Sequence, residues 1–412
     1  MRPGSAAARP ATCAEASVTG SALARCTSVD RATFATENWS RAPLLSRAEQ
    51  LPASFDDLLS ADDVDEMVAE RGLRTPLFRT VRHGDPVTTP VRTVTAGGRR
   101  LPDVVDADRL HAQHADGATL VLNALHRTHP PLARFCRALA AELGHPTQCN
   151  AYVTPGGHAQ GFDHHHDTHD VFVLQVSGRK RWVVHEPVLR LPLPSQPRAG
   201  ADLVPDGAEP LLDVDLQAGD ALYLPRGYVH AALTTDEHSV HLTVGVLSTT
   251  WHDVLADAVA LAADDERFRA ALPVDPRTAL EDVPAFLRTA AQWLEALPPQ
   301  QLQERLRGRL ARAVPPEPVR LLAQAAAVRD LQPTAAVRPR AGLPASLDVD
   351  GDDVVLTLPD RTVRLPAAAS AALRRLLDGP VSASELVEHG LDEPGALVLV
   401  RRMLREGVVV PA

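Results

Sequence analysis

Between residues 149 and 248 the chain is a succession of short apolar runs, CNAYVTP, VFVLQVSG, RKRWVVHEP, ALYLPRG and HSVHLTVGV. They are separated by Gly/Pro turns and by one Pro-rich loop from Leu191 to Pro210. Many short strands at regular spacing predict a double-sheet jelly roll, in which strands distant in sequence lie side by side. The segments around this block read differently. Residues 1–30 are Ala/Ser/Arg-rich and lack a continuous apolar stretch, so they read as a disordered leader. From Thr33 to about Arg79 helical pieces are expected, FATENWSRAPLL and then SFDDLLSADDVDEMVAERGL, the second with Ser54 as its N-cap. Residues 80–120 read as short strands and turns. They are followed by the apolar run GATLVLNAL and a helix, PPLARFCRALAAEL, that opens on proline as a first helical position allows.

After residue 250 the pattern turns helical, with Leu287, Leu294, Leu297, Leu302, Leu306 and Leu310 at helical spacing. A Pro/Ala/Arg-rich stretch over about 331–345 reads as a linker. Beyond it come two strand-like runs, LDVD and DVVLTL, and helices near 367–378 and 382–389. A third helix, PGALVLVRRMLREG, runs into the strand VVV, an order similar to a winged helix. The expected class is α+β. The expected units are a leader (1–30), a β-rich domain (31–250), a helical segment (251–335) and a winged-helix-like domain (345–412).

The chemistry concentrates in QGFDHHHDTHDVFVLQVSGRKRW. Residues i and i+2 of an extended chain point to one side, so the imidazole of His165 and the carboxylate of Asp167 can meet one ion. Much later, GDALYLPRGYVHAAL places His230 at a strand start. Two histidines and one carboxylate make the facial triad of non-haem Fe(II) oxygenases, which leaves positions for a cosubstrate and O₂. An H-x-D pair alone is weak, and His158, His164, His166, His169 and Asp170 crowd the same stretch, so a polar His-rich loop is the competing reading. Lys180 tips the balance. It is the only lysine in a chain with 42 Lys+Arg, so a mere surface cation here would be written as arginine. A lone lysine on this strand points to a compact positive charge for a distal carboxylate.

At these residues the sequence resembles the ribosomal oxygenase branch of the JmjC/cupin-type 2-oxoglutarate hydroxylases. The matching features run in order: NWSRAPLL, LRTPLFRTVR, DGATLVLN, NAYVTPGGHAQGF, the H-x-D pair, FVLQVSGRKRW, GDALYLPRGYVHAA and HSVHLTVGV. The resemblance covers about residues 33–250 and implies a JmjC/cupin-like double-stranded β-helix. It implies that His165, Asp167 and His230 hold Fe(II) and that Lys180 binds the 5-carboxylate of 2-oxoglutarate. It places Asn150 with the cosubstrate and Tyr152 with the substrate. It further implies a helical dimerisation segment, hence a homodimer, and hydroxylation of a His or Arg side chain in a ribosomal protein. There are departures. His166 stands where the family often has Tyr, Gly156-Gly157-His158 is one residue longer than in some members, and Gly245 lies where some carry a hydroxyl near 2-oxoglutarate.

Other classes stay open on the sequence. The same chemistry could act on a peptide natural product, a small molecule or a methylated lysine, or the chain could be a non-catalytic cupin sensor whose winged helix binds DNA through Arg401, Arg402 and Arg405. The net charge of −10 argues against nonspecific nucleic-acid binding. Cys13, Cys26, Cys136 and Cys149 fit neither a zinc site nor a disulfide framework, so a reducing, cytoplasmic setting is expected. No apolar run is long enough to predict a membrane span.

Overall fold

The structure, a computed structural model, describes residues 20–157, 159–196, 204 and 208–412. The chain divides into two compact units at residue 248. In the first unit the strands are β1 (Leu44–Ser46), β2 (Phe78–Arg82), β3 (Asp85–Val87), β4 (Val91–Ala96), β5 (Arg99–Val105), β6 (Thr119–Leu122), β7 (Thr147–Thr154), β8 (Asp170–His185), β9 (Leu212–Gln217), β10 (Ala221–Leu224) and β11 (Val229–Val246). They form one antiparallel sheet in the order β1-β10-β8-β11-β7-β6-β2-β3, with β9 added to β8 and with β4–β5 as a separate hairpin. The result is a β core within an α+β chain, as the strand pattern predicts.

β8 and β11 are the spine. They pair from Asp170 opposite Val246 to His185 opposite Val229. The first half of β8 has β10 on its other side and the second half has β9. The sequence predicts two short runs in place of β8, with the glycine of VSGRK as a turn. Gly178 is instead a bulge residue with φ +65°, passing so close to β11 that a Cβ there would meet the carbonyl oxygen of His238 at 1.7 Å. Glycine supplies both the left-handed backbone and the close approach, so one strand bends where two were expected. Strand alternation then sorts the side chains. Phe172 and Leu174 enter the larger core with Tyr223 and Leu242, while Val171 and Val173 enter a second one with Trp182, Leu216 and Leu222.

The larger core also takes Leu132, Phe135 and Leu139 from the helix Pro130–Leu143, and Phe55, Leu59 and Met67 from the N-terminal segment. Several expectations are corrected here. Residues 20–30 are not part of a disordered leader: Ala22, Leu23 and Cys26 are buried. Arg25 pairs with Asp57 at 2.6 Å and lies over the Phe135 ring at 5.7 Å. Three apolar residues in an Ala-rich background carry no legible period; residues 1–19, with Cys13, lie outside the described residues. The helix assigned to start at Ser54 is Ala61–Ala69. Its N-cap is Ser60, which exchanges a capping box with Asp63, while Ser54 bonds Asp56 instead. FATENWSRAPLL is a short helical turn ending in the π-turn Phe34–Asn38, followed by β1. A helix, Ala107–Ala115, lies inside the stretch read as strands and turns.

The second unit begins with the helices Trp251–Leu261, Val283–Ala296 and Pro299–Ala313. Its apolar core is C-terminal to these, where the helices Ser370–Asp378 and Glu393–Arg405 pack with two small sheets. The stretch read as a linker is part of that core. Residues Ala336–Pro339 are the central strand between Val381–Ser382 and Val409–Pro411, and Val337 is buried. Four residues ending in proline are too few to show a strand period. Cys26, Cys136 and Cys149 are buried free thiols. Among the described residues no helix is long and apolar enough to cross a membrane.

The bulge at Gly178 yields a test of the spine. Gly178→Ala should lower stability by roughly 2–4 kcal/mol, from the left-handed backbone and the collision with His238 together. A urea midpoint equal to that of the wild type would contradict this geometry.

Candidate active site

His165 precedes β8, His230 opens β11, and the two residues exchange backbone hydrogen bonds. The N–H of His165 donates to the carbonyl of His230 at 3.1 Å and the N–H of His230 to the carbonyl of His165 at 2.8 Å. The carbonyl of Asp167 accepts from the N–H of Gly227 at 3.0 Å. Gly227 is a glycine for a reason: its φ is +94° and a Cβ would lie 2.4 Å from the carbonyl oxygen of Leu189. Backbone bonds therefore hold all three proposed ligands before any ion is considered.

The side chains follow. His165 Nδ1 lies 2.7 Å from the carbonyl of Asp163, and His230 Nδ1 lies 3.0 Å from that of Tyr228. A carbonyl only accepts, so both Nδ1 atoms carry the proton and both Nε2 atoms are left as ligands. His230 Nε2 is 3.9 Å from a carboxylate oxygen of Asp167. One ligand atom from each of the three residues falls within 4.8 Å of the others. Burial, followed by the neighbouring His165, pushes the imidazole of His230 down to about 4, so it is neutral at ordinary pH, as a metal ligand must be. The donor set fits a non-haem iron.

His169 and Asp170, which crowd the H-x-D pair in sequence, do not orient the imidazoles; the backbone carbonyls of Asp163 and Tyr228 take that role. Asp170 shares a face of β8 with Phe172, away from the ligands. Its buried carboxylate accepts from the Ser248 hydroxyl at 2.8 Å, from the Tyr223 hydroxyl and Arg226 N–H at 3.2 Å each, and pairs with the Arg226 guanidinium. His169 accounts for Gly245: a Cβ on residue 245 would lie 2.6 Å from the His169 ring. His164 packs edge-on against His185 and His166 is buried, while His158 lies outside the described residues.

His165, Asp167 and His230 line a cavity of about 250 Å³ that also holds Lys180, Tyr152, Trp182 and His241. Lys180 is 3% exposed. Its ammonium donates to the Thr154 hydroxyl at 2.9 Å, which also accepts from Thr119 at 3.2 Å. Among the described residues no carboxylate pairs with it, and burial alone pushes it down to about 7. A buried cation without an anion is costly, and the cavity is where an anion would sit.

Tyr152 lines the cavity between the rings of His241 and Phe162, and burial pushes its hydroxyl up to about 12. Asn150 is not among the lining residues. Its side-chain oxygen accepts from the N–H of Ala124 at 2.9 Å, and its side chain also reaches the Tyr152 hydroxyl. The sequence reading missed Arg79, whose guanidinium lies over the Phe162 ring at 5.5 Å, as well as Thr119, Thr154, Trp182 and His241. Only His241, a histidine between the apolar residues Val240 and Leu242, carried a signal that could have been followed.

Residues 122–254 match the family model of the JmjC domain. The chain is 33% identical over 252 residues to ribosomal oxygenase 1 of Gallus gallus, covering 59% of this chain and 40% of that protein. It is 31% identical over 215 residues to the bifunctional lysine-specific demethylase and histidyl-hydroxylase NO66 of Drosophila persimilis, covering 52% of this chain and 29% of that protein. The chain thus spans less than half the length of these relatives. In fold it is similar to the ribosomal oxygenase YcfD of Escherichia coli, with a TM-score of 0.54 at 19% identity over 92% of this chain and 98% of that one. A structure of YcfD in complex with cobalt and 2-oxoglutarate gives 0.50 at 19% identity over 93% of this chain and 98% of that one.

The lysine makes the pH response of the cavity predictable. Free Lys180 loses its proton as pH rises through about 7, whereas a bound carboxylate requires the ammonium. Binding of a carboxylate beside Lys180 should therefore take up a proton and weaken by about tenfold per pH unit above that point. Calorimetry across buffers from pH 7 to 9 checks this; constant affinity with no proton uptake would contradict it.

Proposed function

We propose that this chain is an Fe(II)- and 2-oxoglutarate-dependent oxygenase that hydroxylates a protein side chain, a His or Arg residue of a ribosomal protein. The observation that carries the reading is one cavity holding two imidazoles, a carboxylate and a buried ammonium with no carboxylate paired to it among the described residues. His165, Asp167 and His230 would hold the iron, and Lys180 would hold the far carboxylate of the keto-diacid. When bound, iron and 2-oxoglutarate supply the oxidative decarboxylation that activates O₂ for hydroxylation.

The chain's own residues do the rest. Backbone bonds orient the three ligands, and the Nδ1 contacts keep both imidazoles in the metal-binding tautomer. Val171, Val173 and Trp182 present apolar walls that exclude water from the cavity. Tyr152 stands on the substrate side, and Asn150 contributes by holding the Tyr152 hydroxyl. The net charge of −10 suits a basic protein as substrate. A second reading, removal of a methyl group from lysine, is favoured by the similarity to the fly lysine-specific demethylase and histidyl-hydroxylase. Mass spectrometry of candidate ribosomal-protein and methyl-lysine peptides separates the two, as gain of one oxygen against loss of one methylene.

The helical segment supplies the surface for a second copy of the chain. Trp251 is 84% exposed, and Phe286, Leu287, Leu321 and Leu322 are also exposed, more apolar surface than isolated side chains account for. We take the C-terminal winged-helix-like unit to be other than a DNA reader. Arg402 is paired with Glu406 at 2.8 Å and Arg401 reaches the carbonyl of Val328. The buried free thiols agree with a cytoplasmic protein.

Two outcomes are expected. His165→Ala or Asp167→Ala should abolish turnover and weaken metal binding by more than the roughly 10–100-fold that losing an orienting partner costs; normal turnover in either variant would remove the metal assignment. Phe286→Glu with Leu287→Glu should convert a dimer to a monomer in sedimentation at micromolar concentration, and a wild type that is already monomeric would dismiss the dimer.

A further inference from the structure

We propose that His241 is a second binding residue for the distal carboxylate of 2-oxoglutarate, donating a ring N–H to it beside Lys180; this rests on the reading of the cavity as a 2-oxoglutarate site. His241 lies in β11, where its neighbours Val240 and Leu242 belong to the larger apolar core while His241 lines the cavity. It is 3% exposed. Its ring is clamped, stacked on Tyr152 at 4.9 Å with 2° between the planes and met edge-on by Trp182 at 5.5 Å and 81°. With one aromatic ring stacked on the imidazole and another meeting it edge-on, the ring nitrogens are the groups left for polar contacts.

Nδ1 of His241 is buried and has no hydrogen-bond partner among the described residues. Such an atom is costly in a folded protein unless a ligand completes it. Burial, and then the charge of Lys180, disfavour the imidazolium, so the ring is neutral and carries one N–H to donate. His241 therefore wants an acceptor, and Lys180, also buried and without a carboxylate among the described residues, wants an anion. A single carboxylate satisfies both. Hydroxyl and amide ligands would satisfy only the first.

The test uses the full chain loaded with Co(II) and follows the visible absorption of the ion. Two probes are titrated: 2-oxoglutarate, and 2-oxobutanoate, which keeps the keto-acid end and lacks the distal carboxylate. His241→Phe preserves the stacked ring without the donor, and His241→Asn restores a donor near Nδ1. His241→Phe should weaken 2-oxoglutarate by about tenfold or more, the worth of a hydrogen bond to a charged group. It should leave Co(II) and 2-oxobutanoate unchanged, and His241→Asn should recover most of the loss. Should the Phe variant fail to bind Co(II) as a folded chain would, His241→Leu makes the same deletion. Equal 2-oxoglutarate affinity in wild type and donor-deleted protein would overturn the assignment, as would equal losses for both probes. If instead the wild type takes no 2-oxoglutarate, or Lys180→Ala binds it normally, the underlying site reading fails and this inference falls with it.

Discussion

Two backbone hydrogen bonds between His165 and His230 are the contact on which the rest of the molecule depends. They join the segment before β8 to the start of β11 and so close the roll at the point where the chemistry is assembled. Because the bonds belong to the ligand residues themselves, the distance between the two imidazoles is set by strand register. Side-chain flexibility has little part in it. The third ligand is tied in by the bond from Gly227 to Asp167, which places the turn before His230 under the H-x-D segment. Asp170 reinforces the same junction from the other face of β8 through Arg226 and Ser248. A site preorganised in this way would spend little binding free energy on ordering the three side chains around an ion.

The cavity beside the ligands is held at a cost. Among the described residues an ammonium with no carboxylate beside it and an imidazole nitrogen with no hydrogen-bond partner are buried in it, and each lowers the stability of the ligand-free fold. The surrounding sheet offsets this with two apolar cores, one on each side of β8. This is the pattern expected of a binding site, where local rules are broken inside an otherwise consistent structure.

The legibility of the chain followed the range of the interactions. The β core and the convergence of His165, Asp167 and His230 could be read because strand alternation and the H-x-D spacing are local, and His230 announced itself by the turn before it. Lys180 stood out only because every other Lys-or-Arg position is arginine. What could not be read depended on where the roll brings residues together. The carbonyls of Asp163 and Tyr228 orient the imidazoles, and a carbonyl is present at every residue, so no sequence pattern marks them. Arg79 was hidden in an arginine-rich background. Gly178 looks like any turn glycine until β11 is laid against it, and the strand Ala336–Pro339 has meaning only through its two partners.

The same reasoning explains why the cavity holds a lysine in a chain that otherwise uses arginine throughout. A guanidinium carries five N–H donors and keeps its charge at any ordinary pH. At position 180 the polar surroundings provide the Thr154 hydroxyl, with Thr119 behind it. Arginine would leave most of its donors unmet and its charge uncompensated whenever no anion is bound. Lysine has a way out: with its proton held only to about pH 7, it can shed its charge in the ligand-free fold and recover it when a carboxylate arrives. The residue type is thus dictated by the ligand-free state as much as by the bound one, and an arginine at this position would require either a wider polar shell or a permanently bound anion.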